Sequence, residues 1–261
     1  MTALQRATVE ALLVGAAGGL ISVQLLLRRL AFFTLAMTHA TFPGVVLAAL
    51  LGADLYLGGA AFGVLLVLAI AWLTRRPGHD SSTAIGIVLS GGFALGVVLL
   101  SARDGFTKDP SAYTVGQILV VDSRDLTASA LVAALVLVLT DAAGRQLTFQ
   151  AFDPDAYAAA GFRAARTDVL FLAAVQAVIL IAVPAVGTIL AVALLVGPAA
   201  TARLWTARLP LMTCLACVLG AASGLAGITL SAHHDIAAGG AITLATGALF
   251  TISLLLRRTT A

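Results

Sequence analysis

Membrane-length apolar stretches recur along the whole chain, at about 9–27, 30–52, 56–74, 83–102, 127–144, 167–184, 186–205, 209–231 and 238–256. Each approaches the ~20 residues that a helix needs to cross the ~30 Å hydrocarbon layer. With 61% hydrophobic and 10% charged residues, a soluble domain of 261 residues could not cover its surface. The alternating apolar and polar strands of an outer-membrane barrel are absent. Backbone in lipid must satisfy its own hydrogen bonds, which leaves helices. The expectation is an all-α polytopic membrane protein of eight to nine transmembrane helices. Glycine and proline interrupt the runs around 184–198, so 167–205 reads either as two spans or as one broken unit.

The basic residues set the orientation. Arg28, Arg29, Arg75, Arg76, Arg145, Arg163, Arg166, Arg203, Arg208, Arg257 and Arg258 fall on one side, leaving Arg6, Arg103, Lys108 and Arg124 on the other. The positive-inside rule makes the first side cytoplasmic. With nine spans the N-terminus lies outside and the C-terminus inside. The first run, ending at Arg28-Arg29, reads as a retained helix rather than a cleaved leader. The arginines sit in short loops between spans, so the net charge of +3 gives no reason to expect nucleic acid. The longest outer connection, 103–126, holds Asp104, Asp109, Asp122 and Asp125. Its apolar patch Val115-Gly-Gln-Ile-Leu-Val-Val121 is too short to span and is expected at the interface or re-entering. No Gly-x-x-x-x-Gly-Lys-Ser/Thr loop is present, so the chain does not bind ATP by that route.

His39 stands out chemically. It lies about ten residues beyond the arginine pair, ~15 Å along a helix and close to mid-bilayer. Pro43-Gly44, four residues on, is expected to break or kink the span. An ionisable side chain beside broken backbone at that depth either lines a polar path or bonds a neighbouring helix. Further on, Ser231-Ala-His-His-Asp-Ile236 places His233, His234 and Asp235 at the outer end of a helix. These read as a metal station or as a solvated polar loop. Three imidazoles with one carboxylate lean toward zinc over manganese.

The largest inner loop, 144–167, contains a helix signature. Asp153 is a good N-cap, Pro154 fits the first helical position, and Gly161 suits the C-cap. Ala156, Ala159 and Ala160, flanked by Phe152, Tyr157 and Phe162, form a small-residue face suited to a groove on another protein, or to packing on the chain's own bundle. Cys214 and Cys217, at i,i+3 without a second ligand pair, read as small packing residues. Gly15, Gly18, Gly19, Gly91, Gly92, Gly96, Gly220, Gly224 and Gly227 read as points of close helix approach. Thr38, Thr41, Ser90 and Thr201 are expected to bond across helices or back to their own backbone. His79, beside Asp80, is expected to be solvated.

Four stretches carry a family resemblance. Arg28-Arg-Leu with Thr38-His-Ala-Thr-Phe-Pro-Gly44 is the first, and Thr83-Ala-Ile-Gly-Ile-Val-Leu-Ser-Gly-Gly-Phe-Ala-Leu-Gly96 the second. Phe152-Asp-Pro-Asp with Ala160-Gly161 is the third, and Val186-Gly187 with Ala193-Leu-Leu-Val-Gly-Pro-Ala-Ala-Thr-Ala-Arg203 the fourth. Their order and spacing resemble the permeases of bacterial zinc and manganese ABC importers, whose fold is similar to that of the cobalamin-type importers. The resemblance implies a single transmembrane permease domain over 1–261, with a cytoplasmic coupling loop at about 145–166. It implies a bacterial cytoplasmic membrane, a second copy of the chain, an ABC ATPase on the inner face and an extracytoplasmic metal-binding protein. It further implies ATP hydrolysis on a separate chain, transported Zn2+ or Mn2+, and no tightly bound cofactor. By the same resemblance Phe152, Asp153, Pro154, Ala159, Ala160 and Gly161 contact the ATPase and His39 meets the passing metal, while His233, His234 and Asp235 are this chain's own candidates to complete the metal path. Many members carry an Asp four residues before the signature His. Here that residue is Leu35.

Two other classes compete. A proton-driven secondary transporter would want a carboxylate buried in the membrane, whereas Asp54, Asp141 and Asp168 fall near span ends. An intramembrane enzyme would need a paired nucleophile and base, paired aspartates or His-Glu-x-x-His, and none is written in the chain.

Overall fold

A computed structural model describes residues 1–74, 81–101 and 118–260. Arg75, Arg76, His79, Asp80, Arg103, Asp104, Lys108, Asp109 and the first half of the 115–121 patch lie outside these residues. The described elements are helical: α1 (Ala3–Leu27), α2 (Ala31–Ala40), α3 (Phe42–Leu51), α4 (Leu55–Leu73), α5 (Ser81–Ser101), α6 (Ser123–Phe152), α7 (Pro154–Ala159), α8 (Ala164–Val186), α9 (Thr188–Trp205), α10 (Leu209–His234) and α11 (Ala238–Thr260). Among the described residues eight segments are long and apolar enough to cross a membrane, with α2 and α3 counted as one span. The apolar helix α9, the seventh of the nine expected runs, falls outside that eight.

Local chemistry sets the boundaries. Thr2 and Gln5 form a capping box on α1, so the helix starts two turns before the apolar run does. Arg29 adopts φ 57°, and the Leu30 amide reaches back to the Leu25 carbonyl at 2.9 Å. The Arg28-Arg-Leu signature therefore closes α1 with a Schellman-type turn on a non-glycine residue. Gly52 (φ 66°) ends α3, and the Asp54 carboxylate accepts the Tyr56 and Leu57 amides to start α4. Asp122 accepts the Arg124 and Asp125 amides while Asp125 accepts the Asp122 amide, a reciprocal cap on α6. The Asp125 and Arg124 amides hold the Asp122 carboxyl below the usual carboxylate range. Gly187, at φ 94°, divides α8 from α9, so the 167–205 stretch is two helices.

The chain divides into two compact units, 1–31 with 110–144 and 181–261, and 32–109 with 145–180. In the first unit α1 packs on α10 through the predicted glycines. Gly15 meets the Gly220 carbonyl, Gly19 the Ala216 carbonyl, and Gly224 the Ala11 carbonyl. A Cβ at any of these positions would run into backbone, so the helices cross at backbone distance. Gly18 lies against Leu194 and Gly227 against Ile242, bringing α9 and α11 to the same core. Ile118 and Val121 seal one end of that core beside Ala7, Ala11 and Ile228. The described half of the 115–121 patch is thus a 3-10 turn docked on the bundle.

In the second unit α3 packs on α4 and α5. Gly44 meets Gly58 and Phe62, Gly92 meets Ala40, and Gly96 meets Phe42 and Pro43. Gly91 faces open space, unlike the other predicted contact glycines. Exposed Leu57, Val64, Leu65, Leu68 and Trp72 give α4 an apolar outer face suited to lipid.

Candidate functional site

His39 sits in the last turn of α2. The helix stops at Ala40, Thr41 is a turn residue, and α3 restarts at Phe42 with Pro43 in its first turn. The turn at Thr41 lies two residues ahead of Pro43, whose ring excludes a continuing helical hydrogen bond. Thr41 hydroxyl donates to the Met37 carbonyl at 2.8 Å and Thr38 hydroxyl to the Leu35 carbonyl at 2.8 Å. Thr201 donates likewise to the Gly197 carbonyl, so these three threonines bond back as expected. The half-buried His39 ring meets Phe93 edge-on, with centroids 6.3 Å apart. Leu35, one turn earlier, is 37% exposed.

His233 and His234 occupy the last turn of α10, and Asp235 caps it in the left-handed conformation (φ 51°). All three are exposed. Successive helical residues point about 100° apart, so the two imidazoles diverge. His233 Nδ1 already lies 2.8 Å from the Thr229 carbonyl. Among the described residues no three His, Cys, Asp or Glu side chains are grouped to hold a metal ion. Cys214 is exposed and Cys217 half-buried, so the first does not pack within this chain as expected.

The inner element is well defined, with two corrections. First, the expected loop of 144–167 is mostly helix. α6 continues through Gln146 to Phe152 and α8 begins at Ala164, because helices extend past the apolar layer while hydropathy ends there. Second, Tyr157 does not flank an outward face. It is 1% exposed, stacked on Phe162 (4.9 Å, 23°) and edge-on to Phe149 (5.5 Å, 72°). Its hydroxyl pairs with the Thr167 hydroxyl at 2.7 Å. The predicted caps hold: Asp153 Oδ1 accepts the Ala156 amide at 2.9 Å, and Gly161 takes φ 83°. Gln150 donates to Asp168 at 2.8 Å, bridging the end of α6 to the start of α8. Phe152, Asp153, Pro154, Ala158, Ala159, Ala160 and Gly161 remain exposed. An open hollow of about 840 Å³ follows, lined by Arg163, Ala164, Ala165, Arg166, Val169 and Leu170.

Sequence reasoning missed two polar groups. Glu10, 2% exposed, accepts a hydrogen bond from Ser129 at 2.5 Å, while its second oxygen has no hydrogen-bond partner among the described residues. Its signal was an acid one residue inside an apolar run. Gln176 is equally enclosed in α8, and both its amide atoms lack a partner among the same residues.

The comparisons agree on the family. The ABC 3 transport family matches residues 1–257. The manganese transport system membrane protein MntC of Halalkalibacterium halodurans is 36% identical over 96% of this chain and 86% of its own length. The manganese import system permease protein ScaB of Streptococcus gordonii is 34% identical over 96% of this chain and 90% of its own. The solved PsaBC of Streptococcus pneumoniae in complex with Fab superimposes with TM-score 0.86 and 33% identity, covering 97% of this chain and 91% of that one. This chain belongs to the ABC 3 transport family, as a membrane-spanning permease subunit and not an enzyme.

Proposed function

We propose that the chain is the permease of an ATP-driven importer of divalent transition-metal ions, with manganese as the leading cargo. The observation that carries this reading is His39 at the α2–α3 break, within a chain that matches manganese permeases over 96% of its length. The imidazole-rich argument for zinc loses its footing, because His233 and His234 diverge and stand exposed. A single imidazole with oxygen donors suits a harder ion better than a multi-imidazole site does. An incomplete ligand set also favours passage over trapping, since a transported ion must leave as readily as it arrives.

The exposed Phe152, Asp153, Pro154, Ala159, Ala160 and Gly161 are the surface that an ABC ATPase grips. The two basic residues beside the adjoining hollow, Arg163 and Arg166, extend it. The Asp153 and Gly161 caps, together with buried Tyr157, make α7 a firm knob rather than a loop. The whole of 1–261 acts as one permease domain in a bacterial cytoplasmic membrane with its C-terminus inside. It works as a pair of copies and is loaded by an extracytoplasmic metal-binding protein. His233, His234 and Asp235, which do not converge, serve there at most as separate exposed donors that the ion touches in turn.

Vesicles holding this chain with its ATPase and delivery protein test the reading. ATP-dependent manganese uptake is the expected result, exceeding zinc uptake. Uptake that needs no ATPase would instead promote a proton-driven carrier, for which Glu10 is the buried carboxylate to examine.

A further inference from the structure

The start of α4 presents three glycines to its neighbours in the second unit. Gly58 lies against Gly44 and Ala48 of α3. Gly59 has Val45 of α3 at 3.3 Å and Leu180 of α8 at 3.5 Å. Gly63, one turn further, lies against the side chain of Gln176. The first turns of α3 and the middle of α8 therefore meet the same stretch of α4. A Cβ at Gly63 would stand 2.5 Å from Gln176 Nε2 and 2.8 Å from its Cγ, so the missing side chain is what gives the carboxamide room.

Gln176 lies about 18 Å along α8, close to the middle of the span. It is 2% exposed and flanked on its own helix by buried Phe171, Val175, Val178 and Ile179. Among the described residues neither Nε2 nor Oε1 has a hydrogen-bond partner. A carboxamide offers two donors and an oxygen with two lone pairs, and native interiors rarely leave all of them unmet. In hydrocarbon this is costlier still, since no bulk water stands in. Packing does not explain the choice of residue, because an unbranched apolar side chain would fill the same space without the penalty.

We propose that Gln176 is a ligand for the cargo, its Oε1 coordinating the divalent cation as the ion passes between α4 and α8. An amide oxygen is a neutral hard donor, of the kind that suits manganese-like ions and releases them readily. The inference rests on the metal-permease reading. It adds to it a residue that would supply the path with a hard oxygen donor.

The test compares wild type, Gln176→Met and Gln176→Glu in ATP-energised vesicles with the partner ATPase and delivery protein, reading initial manganese uptake against concentration. Thermal unfolding in detergent is measured alongside. Methionine keeps the length and removes the amide. The expected result is an at least tenfold loss of uptake kcat/KM with a melting temperature equal to or above wild type. Glutamate restores an oxygen ligand, with KM for manganese at or below the wild-type value. Gln176→Met transporting like wild type would overturn the inference while leaving the permease reading intact. Uptake that falls only in step with lost folded protein, with Gln176→Glu failing equally, would overturn it too. Wild-type vesicles that take up no divalent metal would overturn both.

Discussion

Tyr157 is the most informative single position for the coupling element. α7 is six residues long, far too short to hold itself as an isolated helix. Its attachment is the Tyr157 ring between Phe149 and Phe162, with the hydroxyl on Thr167. Tyr157→Phe keeps the ring and removes one hydrogen bond, which costs ~1 kcal/mol, or about a fivefold shift in local opening. Tyr157→Ala removes the ring from a closed site and costs ~3–5 kcal/mol. Part of that is the two aromatic pairs, at ~0.5–1.5 kcal/mol each. Hydrogen exchange across residues 153–163 reads both effects. The phenylalanine variant should exchange about fivefold faster there, and the alanine variant should lose protection in that stretch while the other helices keep theirs. ATP-driven uptake should fall in the alanine variant while ATP hydrolysis continues. Unchanged exchange over 153–163 in Tyr157→Ala would refute the claim that this ring holds the knob.

Three further outcomes follow from the packing. Gly220→Leu drives a side chain into the α1 backbone at Gly15 and should destabilise the first unit by ~3 kcal/mol or more in detergent melts. Gly144→Ala, a mid-helix site with open space around it, should stabilise by ~0.5–1 kcal/mol in the same assay. Ser129→Ala leaves both Glu10 oxygens without a hydrogen-bond partner and should cost ~1.5–3 kcal/mol, read as a lower melting temperature. The Asp122 carboxyl has its folded pKa depressed, so its capping contribution is present above the unfolded value and is lost as pH falls through the folded one. Protection of the Arg124 and Asp125 amides, corrected for intrinsic exchange, should therefore drop on acidification, and Asp122→Asn should blunt that drop.

Much of the architecture was legible because its causes are local. Asp153-Pro154 and Gly161 act within one turn of themselves, and α7 begins and ends where they dictate. Pro43-Gly44 broke the second span for the same reason. The glycines of α1 and α10 were readable as contact points, although their partners were not, since pairing Gly15 with Gly220 depends on how distant helices meet. Hydropathy misplaced the inner loop, because Arg145 and Gln146 end the apolar run without ending the helix. Tyr157 was misread because a two-turn helix has no strong face of its own; Phe149 and Thr167 decide which way it turns. Glu10 pairs with a residue 119 positions away, beyond the reach of any local pattern. The His233, His234 and Asp235 cluster looked convergent in the sequence, whereas helical geometry spreads it.

The most direct test of the central claim is initial manganese flux and ATP hydrolysis measured together in vesicles carrying wild type or His39→Ala with the same ATPase. His39→Ala is expected to lose most of its flux while ATP hydrolysis persists, because α7 and its docking surface are untouched. Wild-type flux in His39→Ala would contradict it and remove the α2–α3 break from the path of the ion.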